Sequence, residues 1–152
     1  MNESILLYED TPAYDSWLKY LLGGILALTF ILGIVYIPQD IIGAAVMFAV
    51  TLFDALLFYV ILPKRFLIYE NQLVVKLGGP FAINIPLSDI EEAKPAPPRN
   101  AFFYGGIRFA TSTGHIVEIV RRKGMNLLIS PSHDDIFLEQ LNQAQHASSN
   151  PE

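Results

Sequence analysis

The stretch from Leu56 to Val75, LLFYVILPKRFLIYENQLVV, joins two kinds of sequence without a linker. An apolar run ends at Pro63-Lys64-Arg65, and from Phe66 onward the pattern alternates. A continuous apolar run of this kind is typical of a helix in hydrocarbon, whereas alternation at every second residue is typical of a half-buried strand. The sequence therefore predicts an α+β membrane protein in which a folded domain follows the membrane directly.

Two stretches almost free of charge predict a transmembrane helical hairpin over residues 17–63. The two spans cover about residues 18–37 and 41–62, and between Tyr20 and Leu62 the only formal charges are those of Asp40 and Asp54. At 1.5 Å per residue, each span matches the roughly 30 Å of a bilayer's hydrocarbon core. A signal peptide is the alternative for the first span, but that span lacks a basic flank on its N-terminal side and a second span follows.

Basic residues at the ends of the spans predict the orientation. Lys19 lies at the start of the first span, Lys64 and Arg65 follow the second, and the tip Pro38-Gln39-Asp40 has no basic residue. Cytoplasmic flanks carry an excess of Lys and Arg. We therefore expect a multi-pass protein of the inner membrane with both termini cytoplasmic, including an N-terminal cytoplasmic segment over residues 1–16.

Asp54 is the intramembrane polar residue of the second span. A charged aspartate near the bilayer centre costs about 2.5–3.5 kcal/mol on insertion scales, so Asp54 is expected to be protonated or partnered. One interpretation is a proton or ion path. The other is a hydrogen bond to Lys19, to Tyr20 or to a neighbouring subunit. Because no other acid or base lies deep in the spans, the sequence favours the second interpretation.

The pattern after the membrane predicts about seven short strands and a final helix. Turn signals such as Gly78-Gly79-Pro80 separate the strands. Ser132 and Asp135 resemble a capping box at the start of a helix with an apolar stripe. Residues 64–145 are thus expected to form one domain, and residues 146–152 a disordered tail. The predicted strands are 66–69, 72–77, 81–86, 87–93, 106–111, 115–121 and 125–130.

Two segments carry a resemblance to a known family. They are YENQLVVKLGGPFAINIPLSDIEEAKP, residues 69–95, and GHIVEIVRRKGMNLLISPSHDDIFLEQL, residues 114–141. Both resemble the bacterial pleckstrin-homology-like (PH-like) family of small membrane proteins, in which two spans precede the domain. The resemblance implies a seven-stranded, partly open β-barrel capped by a C-terminal helix. It implies no enzymatic activity.

The residue types and their spacing also argue against an enzyme. The chain has no cysteine, and its three histidines do not show the spacing of metal ligands. Gly78-Gly79 and Gly105-Gly106 match neither a P-loop nor a dinucleotide-binding fingerprint. Asp89 and Glu91 are predicted to share a strand face, and an exposed sheet explains them as well as a catalytic pair would. We expect no enzyme, no metal and no cofactor.

Charge excludes two further classes of ligand. The net charge of −5 argues against nucleic acid, which requires a basic face. A phosphoinositide would require basic residues around the first hairpin, and the turn there, Glu70-Asn71-Gln72, is acidic. The sequence therefore directs attention to proteins and to the bilayer as partners.

Two exposed segments are candidate binding surfaces. Phe102, Phe103 and Tyr104 lie in the longest irregular segment, where they either contact a partner or plug the barrel mouth. The second segment is a basic turn.

That basic turn consists of Arg121, Arg122 and Lys123. It either orients the domain on an anionic leaflet, together with Lys64 and Arg65 at the membrane surface, or is a solvated hairpin turn.

Two functions follow from these surfaces. In the first, the protein is a non-catalytic accessory or scaffold subunit that docks a protein partner, or forms a homo-oligomer, at the inner membrane face. In the alternative, it is a membrane-surface sensor that binds a lipid or peptide between the aromatic loop and the basic turn.

Overall fold

The computed structural model describes residues 5–149 and divides into two compact units. The helical unit comprises Ser16–Leu62, and the β/α unit combines the residues before Ser16 with those after Leu62. The chain therefore leaves the β/α unit, forms the helical unit and then returns.

The helical unit consists of α1 (Ser16–Tyr36) and α2 (Ile41–Ile61). The Asp40 carboxylate caps α2 by accepting the N–H of Ile42 at 3.0 Å. Gly33 permits close packing of the two helices, since a Cβ there would come within 2.9 Å of the Phe48 ring.

The two predicted helices are therefore present, and both are long and apolar enough to cross a membrane. Only 6% of the apolar window of each helix is buried, which distinguishes them from the core helices of a water-soluble domain.

Eight strands form two four-stranded sheets in the β/α unit. The first sheet is antiparallel, in the order β1-β2-β3-β4, and the second has the order β5-β7-β8-β6. In the second sheet β6 and β8 are parallel, whereas β7 is antiparallel to both of its neighbours. The strands are β1 (Leu6–Asp10), β2 (Arg65–Tyr69), β3 (Gln72–Lys76), β4 (Ala82–Pro86), β5 (Ile90–Pro95), β6 (Ile107–Phe109), β7 (Val117–Arg121) and β8 (Leu127–Ile129).

Strand β1 comes from the segment that the sequence analysis placed before the membrane. It pairs with β2, with Asp10 opposite Phe66 and Leu6 opposite Tyr69. Strand β2 lies between β1 and β3, and Phe66 to Ile68 are buried. The N-terminal segment therefore adds an eighth strand to the seven that were predicted.

Helix α3 (Asp134–Ser149) packs across the core of the β/α unit. The Phe137 ring meets those of Phe66 and Tyr8 edge-on, at centroid distances of 6.2 and 6.5 Å. Leu141 and Ala144 follow on the same face and are also buried. This face joins the helix to both sheets through the residues of one core cluster.

The start of α3 differs from the predicted capping box. The carboxylate of Asp10 accepts the N–H of His133 at 2.9 Å, whereas the Ser132 hydroxyl lies 3.3 Å from that of Thr11. The helix also continues through Ser149, beyond the boundary predicted at residue 145, and residues 150–152 of the predicted tail lie outside the described residues.

The fourth predicted strand begins as a turn of 3-10 helix, Leu87–Asp89, before β5 starts at Ile90. A register shift between Ile90 and Glu92 then breaks the alternation. Asp89 and Glu91 therefore do not share a strand face, which corrects the prediction of a paired arrangement.

Candidate functional site

Both connections to the helical unit are fixed within the β/α unit. The Asp15 carboxylate accepts hydrogen bonds from Ser112 Oγ at 2.7 Å and from the backbone N–H and Oγ1 of Thr113, both at 2.8 Å. The Tyr14 hydroxyl donates to the carbonyl of Pro63, and burial raises the pKa of Tyr14 to about 12. Residues just before α1 and just after α2 are thus anchored in the same small region.

We call this side of the β/α unit the junction end. Strand β2 starts there at Arg65, and the chain segment after β1 bridges to Pro131, just beyond β8. Strand β7 runs away from the junction end, from Val117 to Arg121. At about 3.3 Å per residue it places the turn between β7 and β8 about 13 Å away, at what we call the distal end.

An open groove of about 710 Å³ lies between β5 and the C-terminal half of α3. Strand β5 forms one edge of its sheet, so no described strand pairs with its outer side. The amide of Gln145 reaches across from α3 and donates to the carbonyl of Ile90 at 3.0 Å. The lining residues are Leu87, Ser88, Ile90, Glu91, Glu92, Ala93, Arg122, Asn142, Gln145, His146 and Ser148.

Backbone groups contribute to this groove as well as side chains. The Ala96 N–H donates to the carbonyl of Ile116 at 2.9 Å and so points toward the β7 side. Because hydrogen-bonding groups alternate in direction along an antiparallel strand, the N–H and carbonyl of Ala93 point to the open edge. Pro95 points the same way and has no N–H to leave unpaired. The groove therefore offers a short stretch of strand edge.

The charges of the groove are mixed, with carboxylates along β5. Glu91 and Glu92 are exposed, and Glu92 forms an ion pair with Lys94 at 3.1 Å. Arg122 lies toward the distal end, and His146 lies on α3. The groove can receive a polar ligand that presents a cation to Glu91.

In the basic turn at the distal end, one cationic side chain is hydrogen-bonded within the fold and two are exposed to solvent. Arg121 donates from Nε and Nη2 to one oxygen of Asp89 at 2.9 and 2.7 Å, and the Lys123 N–H donates to the other oxygen at 2.9 Å. The hydrogen bonds from Arg121 hold the pKa of Asp89 below its usual range. Arg121 is therefore used within the fold, and Arg122 and Lys123 are the exposed cations of the turn.

In the aromatic loop, likewise, one side chain packs inward and two are exposed. Tyr104 turns inward against the small cluster that contains Ile116 and Leu128, and its hydroxyl donates to Glu118 at 2.9 Å. Burial, followed by this hydrogen bond, raises the pKa of Tyr104. Phe102 and Phe103 remain exposed, Phe103 to 86%.

The end of this loop packs against the turn between β7 and β8, beyond its basic residues. Tyr104, Gly105 and Gly106 line a depression of about 260 Å³ with Met125 and Asn126. A Cβ on Gly106 would come within 2.4 Å of the Asn126 carbonyl, so the loop lies directly on the turn. We call the residues that line this depression the distal patch. Arg122 and Lys123 line a separate depression with Pro86, Ser88 and Asp89.

The remaining predicted residues lie apart from this patch. Arg65 forms an ion pair with Glu9 at 2.7 Å, and the Lys64 N–H donates to the carbonyl of Lys76, also at 2.7 Å, at the junction end. Among the described residues, no hydrogen bond or ion pair joins Asp54 to Lys19 or Tyr20, the partners expected from the sequence.

Two histidine–carboxylate pairs hold the start of α3. His133 lies 3.2 Å from buried Asp10, and His115 lies 3.1 Å from Asp134. Within residues 5–149, no three histidine or acidic side chains cluster closely enough to hold a metal. Asp10 and Asp15 are not predicted as site residues, because acids ahead of a span show no local pattern that marks an anchor.

The chain matches no protein-family model, no curated protein and no solved structure. The roles of the groove and of the distal patch are therefore argued from their own geometry.

Proposed function

We propose that the protein is a non-catalytic subunit of the inner membrane whose β/α unit docks an extended segment of a partner protein in the groove between β5 and α3. The proposal includes the PH-like character of the β/α unit. Two four-stranded sheets closed by a C-terminal helix are compatible with a partly open, helix-capped barrel.

The pairing of β1 with β2 supports the proposed membrane topology. These strands flank the two helices in sequence and lie side by side in one sheet. The chain therefore must return to the side of the membrane from which it left, which requires an even number of crossings. With Lys19, Lys64 and Arg65 near the ends of the helices, the positive-inside rule places this side in the cytoplasm.

The groove beside the edge strand carries the docking proposal. A sheet edge can accept an extended peptide through main-chain hydrogen bonds, and neighbouring side chains then select among peptides. Here the outward groups of Ala93 provide the edge, and Asn142 and Gln145 provide polar side chains on the opposite wall. Glu91 favours a partner segment that carries a lysine or arginine.

The experiment is purification of the tagged protein from its own membranes under mild detergent, followed by identification of proteins at fixed stoichiometry. Asn142→Trp fills the groove, and Gln143→Trp places the same side chain on an exposed neighbour outside the lining. We expect the partner to be lost with Asn142→Trp and retained with Gln143→Trp.

Ala93→Pro tests the role of the strand edge. Proline is tolerated where an edge N–H faces solvent, so the β/α unit should fold while the outward donor is lost. Retention of the partner by both Asn142→Trp and Ala93→Pro would rule out docking in the groove. If the purified protein is a homo-oligomer with no other protein bound, the partner in the proposal is a second copy of this chain.

The distal patch supports a second candidate, the sensor of a lipid or peptide. Its observation is the packing of the aromatic loop on the turn that carries Arg122 and Lys123. Its position about 13 Å from the junction end favours a peptide, or a lipid extracted from the bilayer, over simple surface contact. Combined Arg122→Glu and Lys123→Glu should abolish such binding and leave a partner in the β5–α3 groove unaffected.

A further inference from the structure

We infer that the turn between β3 and β4 is a membrane-contacting surface of the β/α unit, in which Phe81 enters the interfacial layer and nearby lysines meet anionic headgroups. The inference rests on the membrane insertion of the helical unit proposed above and does not depend on the β5–α3 groove. Of the residues in this surface, the sequence predicts only Lys64 to lie at the membrane.

The chain itself brings this turn to a membrane surface. Only Leu62 and Pro63 separate α2 from Lys64, whose N–H is already bonded to the carbonyl of Lys76 in β3. Asp15, which immediately precedes α1, is held by Ser112 and Thr113. Only a few residues therefore connect the junction end to α1 and α2, which limits how far it can lie from a membrane surface at which these helices end.

Phe81 lies at this same end of the first sheet. Its carbonyl accepts the N–H of Leu77 at 3.0 Å, and Gly79 adopts the positive φ of 69° that closes the turn. Neighbouring strands are about 4.8 Å apart, so the backbone of Phe81 in the β3–β4 turn lies about 10 Å from that of Lys64 at the start of β2. Its ring is 53% exposed, and an exposed aromatic at this position is suited to the interfacial layer.

The charges around the turn favour anionic lipid. Lys64 and Lys76 are exposed beside it, and Arg65 is opposed by Glu9 in an ion pair. Basic residues held close to a membrane are attracted to an anionic leaflet. The combination of an aromatic tip and flanking lysines therefore fits an anionic bilayer surface.

The test uses tryptophan fluorescence in vesicles of phosphatidylcholine and phosphatidylglycerol with brominated acyl chains, which quench a tryptophan only at short range. Trp17 is the single tryptophan and reports insertion of the helical unit. In a Trp17→Phe background, Phe81→Trp reports the junction end and Asn71→Trp reports the opposite end of the same sheet. Asn71 is a suitable control because it is exposed in the turn between β2 and β3 and does not line the distal patch.

We expect strong quenching of Trp17, a marked loss of fluorescence with a blue shift for Phe81→Trp, and little change for Asn71→Trp. Quenching of Trp17 without greater quenching of Phe81→Trp than of Asn71→Trp would overturn the inference and leave membrane insertion intact. If Trp17 itself is not quenched, the membrane proposal fails and the inference fails with it.

The lysines are tested by lowering the phosphatidylglycerol content. The quenching of Phe81→Trp should decrease as anionic lipid is removed, and Lys76→Glu in the same background should reproduce that loss. Quenching that is indifferent to both changes would overturn the role of the lysines.

Discussion

The helical unit and the β/α unit place similar side chains in opposite environments. In α2, Leu52 and Phe53 are 64% and 63% exposed, whereas Phe66 and Phe137 in the β/α unit are fully buried. Apolar surface is removed from water in the β/α unit by the protein itself. In the helical unit it stays exposed, as it would on helices that cross a bilayer. The direction in which apolar side chains point is therefore more informative about the solvent than composition is.

The largest expected effect comes from truncating an aromatic side chain on the buried side of this comparison. Phe137→Ala should destabilise the β/α unit by about 3–5 kcal/mol, because it leaves a cavity between α3 and both Phe66 and Tyr8. Chemical denaturation in detergent, followed by the β-sheet signal in circular dichroism, measures this loss. Phe53→Ala removes the same ring from an exposed position and should leave that transition unchanged. Equal effects would show that the two units do not differ as described.

A lysine introduced at an exposed apolar position should be costly in the helical unit and tolerated in the β/α unit. Leu28→Lys, near the middle of α1, should cost about 2.5–3.5 kcal/mol of insertion free energy. The measurement is the fraction of protein that resists alkaline extraction from membranes. Ile136→Lys is the control, since Ile136 is an exposed apolar residue on α3 of the β/α unit. Extraction that is unchanged by Leu28→Lys would contradict membrane insertion.

The connection between the units gives a smaller effect. Asp15→Ala removes the acceptor of three hydrogen bonds and should cost about 1–3 kcal/mol, since the N–H of Thr113 loses its partner. Amide hydrogen exchange should increase in β1 and around Thr113. The exchange of α1 and α2 should not change. Protection of β1 equal to that of the parent protein would show that Asp15 is not an anchor.

The smallest effect concerns the distal turn and depends on pH. Because the pKa of Asp89 is lower in the folded chain, its contribution is complete at neutral pH. The contribution decreases as the pH falls below the usual aspartate range, and it is lost once the pH passes the lowered pKa. Asp89→Asn should therefore bring the stability at neutral pH closer to that of the acid state. Asp135→Asn, at an exposed acid on α3, controls for net charge, and an identical acid-unfolding profile for both variants would contradict the assignment.

Much of the fold was predictable from local pattern. The hydrophobic runs predicted α1 and α2, and alternation predicted seven of the eight strands in the β/α unit. Strand β1 was missed because its partner β2 lies on the far side of both helices in sequence, and LLYED carries no turn signal that would mark a hairpin. The last turn of α3, residues 146–149, was missed because the sequence there is small and polar.

The candidate surfaces were predictable only as separate segments. The sequence identified the aromatic loop and the basic turn, but not the packing of Gly106, at the end of the loop, against Asn126. The sequence also could not show that Arg121 donates hydrogen bonds to Asp89, since their pairing depends on the register of β5 and β7. No pattern in the sequence indicated the β5–α3 groove, because its two walls come from elements that β6, β7 and β8 separate in sequence.

The position of β1 also imposes an order on biosynthesis. The ribosome makes β1 first, then α1 and α2, and only afterwards the strand with which β1 pairs. At translation rates of about 5–20 residues per second, β1 waits on the order of seconds for that partner. The first sheet therefore cannot close until both helices have been synthesised. Once the sheet has closed, the pairing of β1 with β2 holds the start of α1 near the end of α2. Separating these two helix ends would require the removal of β1 from the sheet.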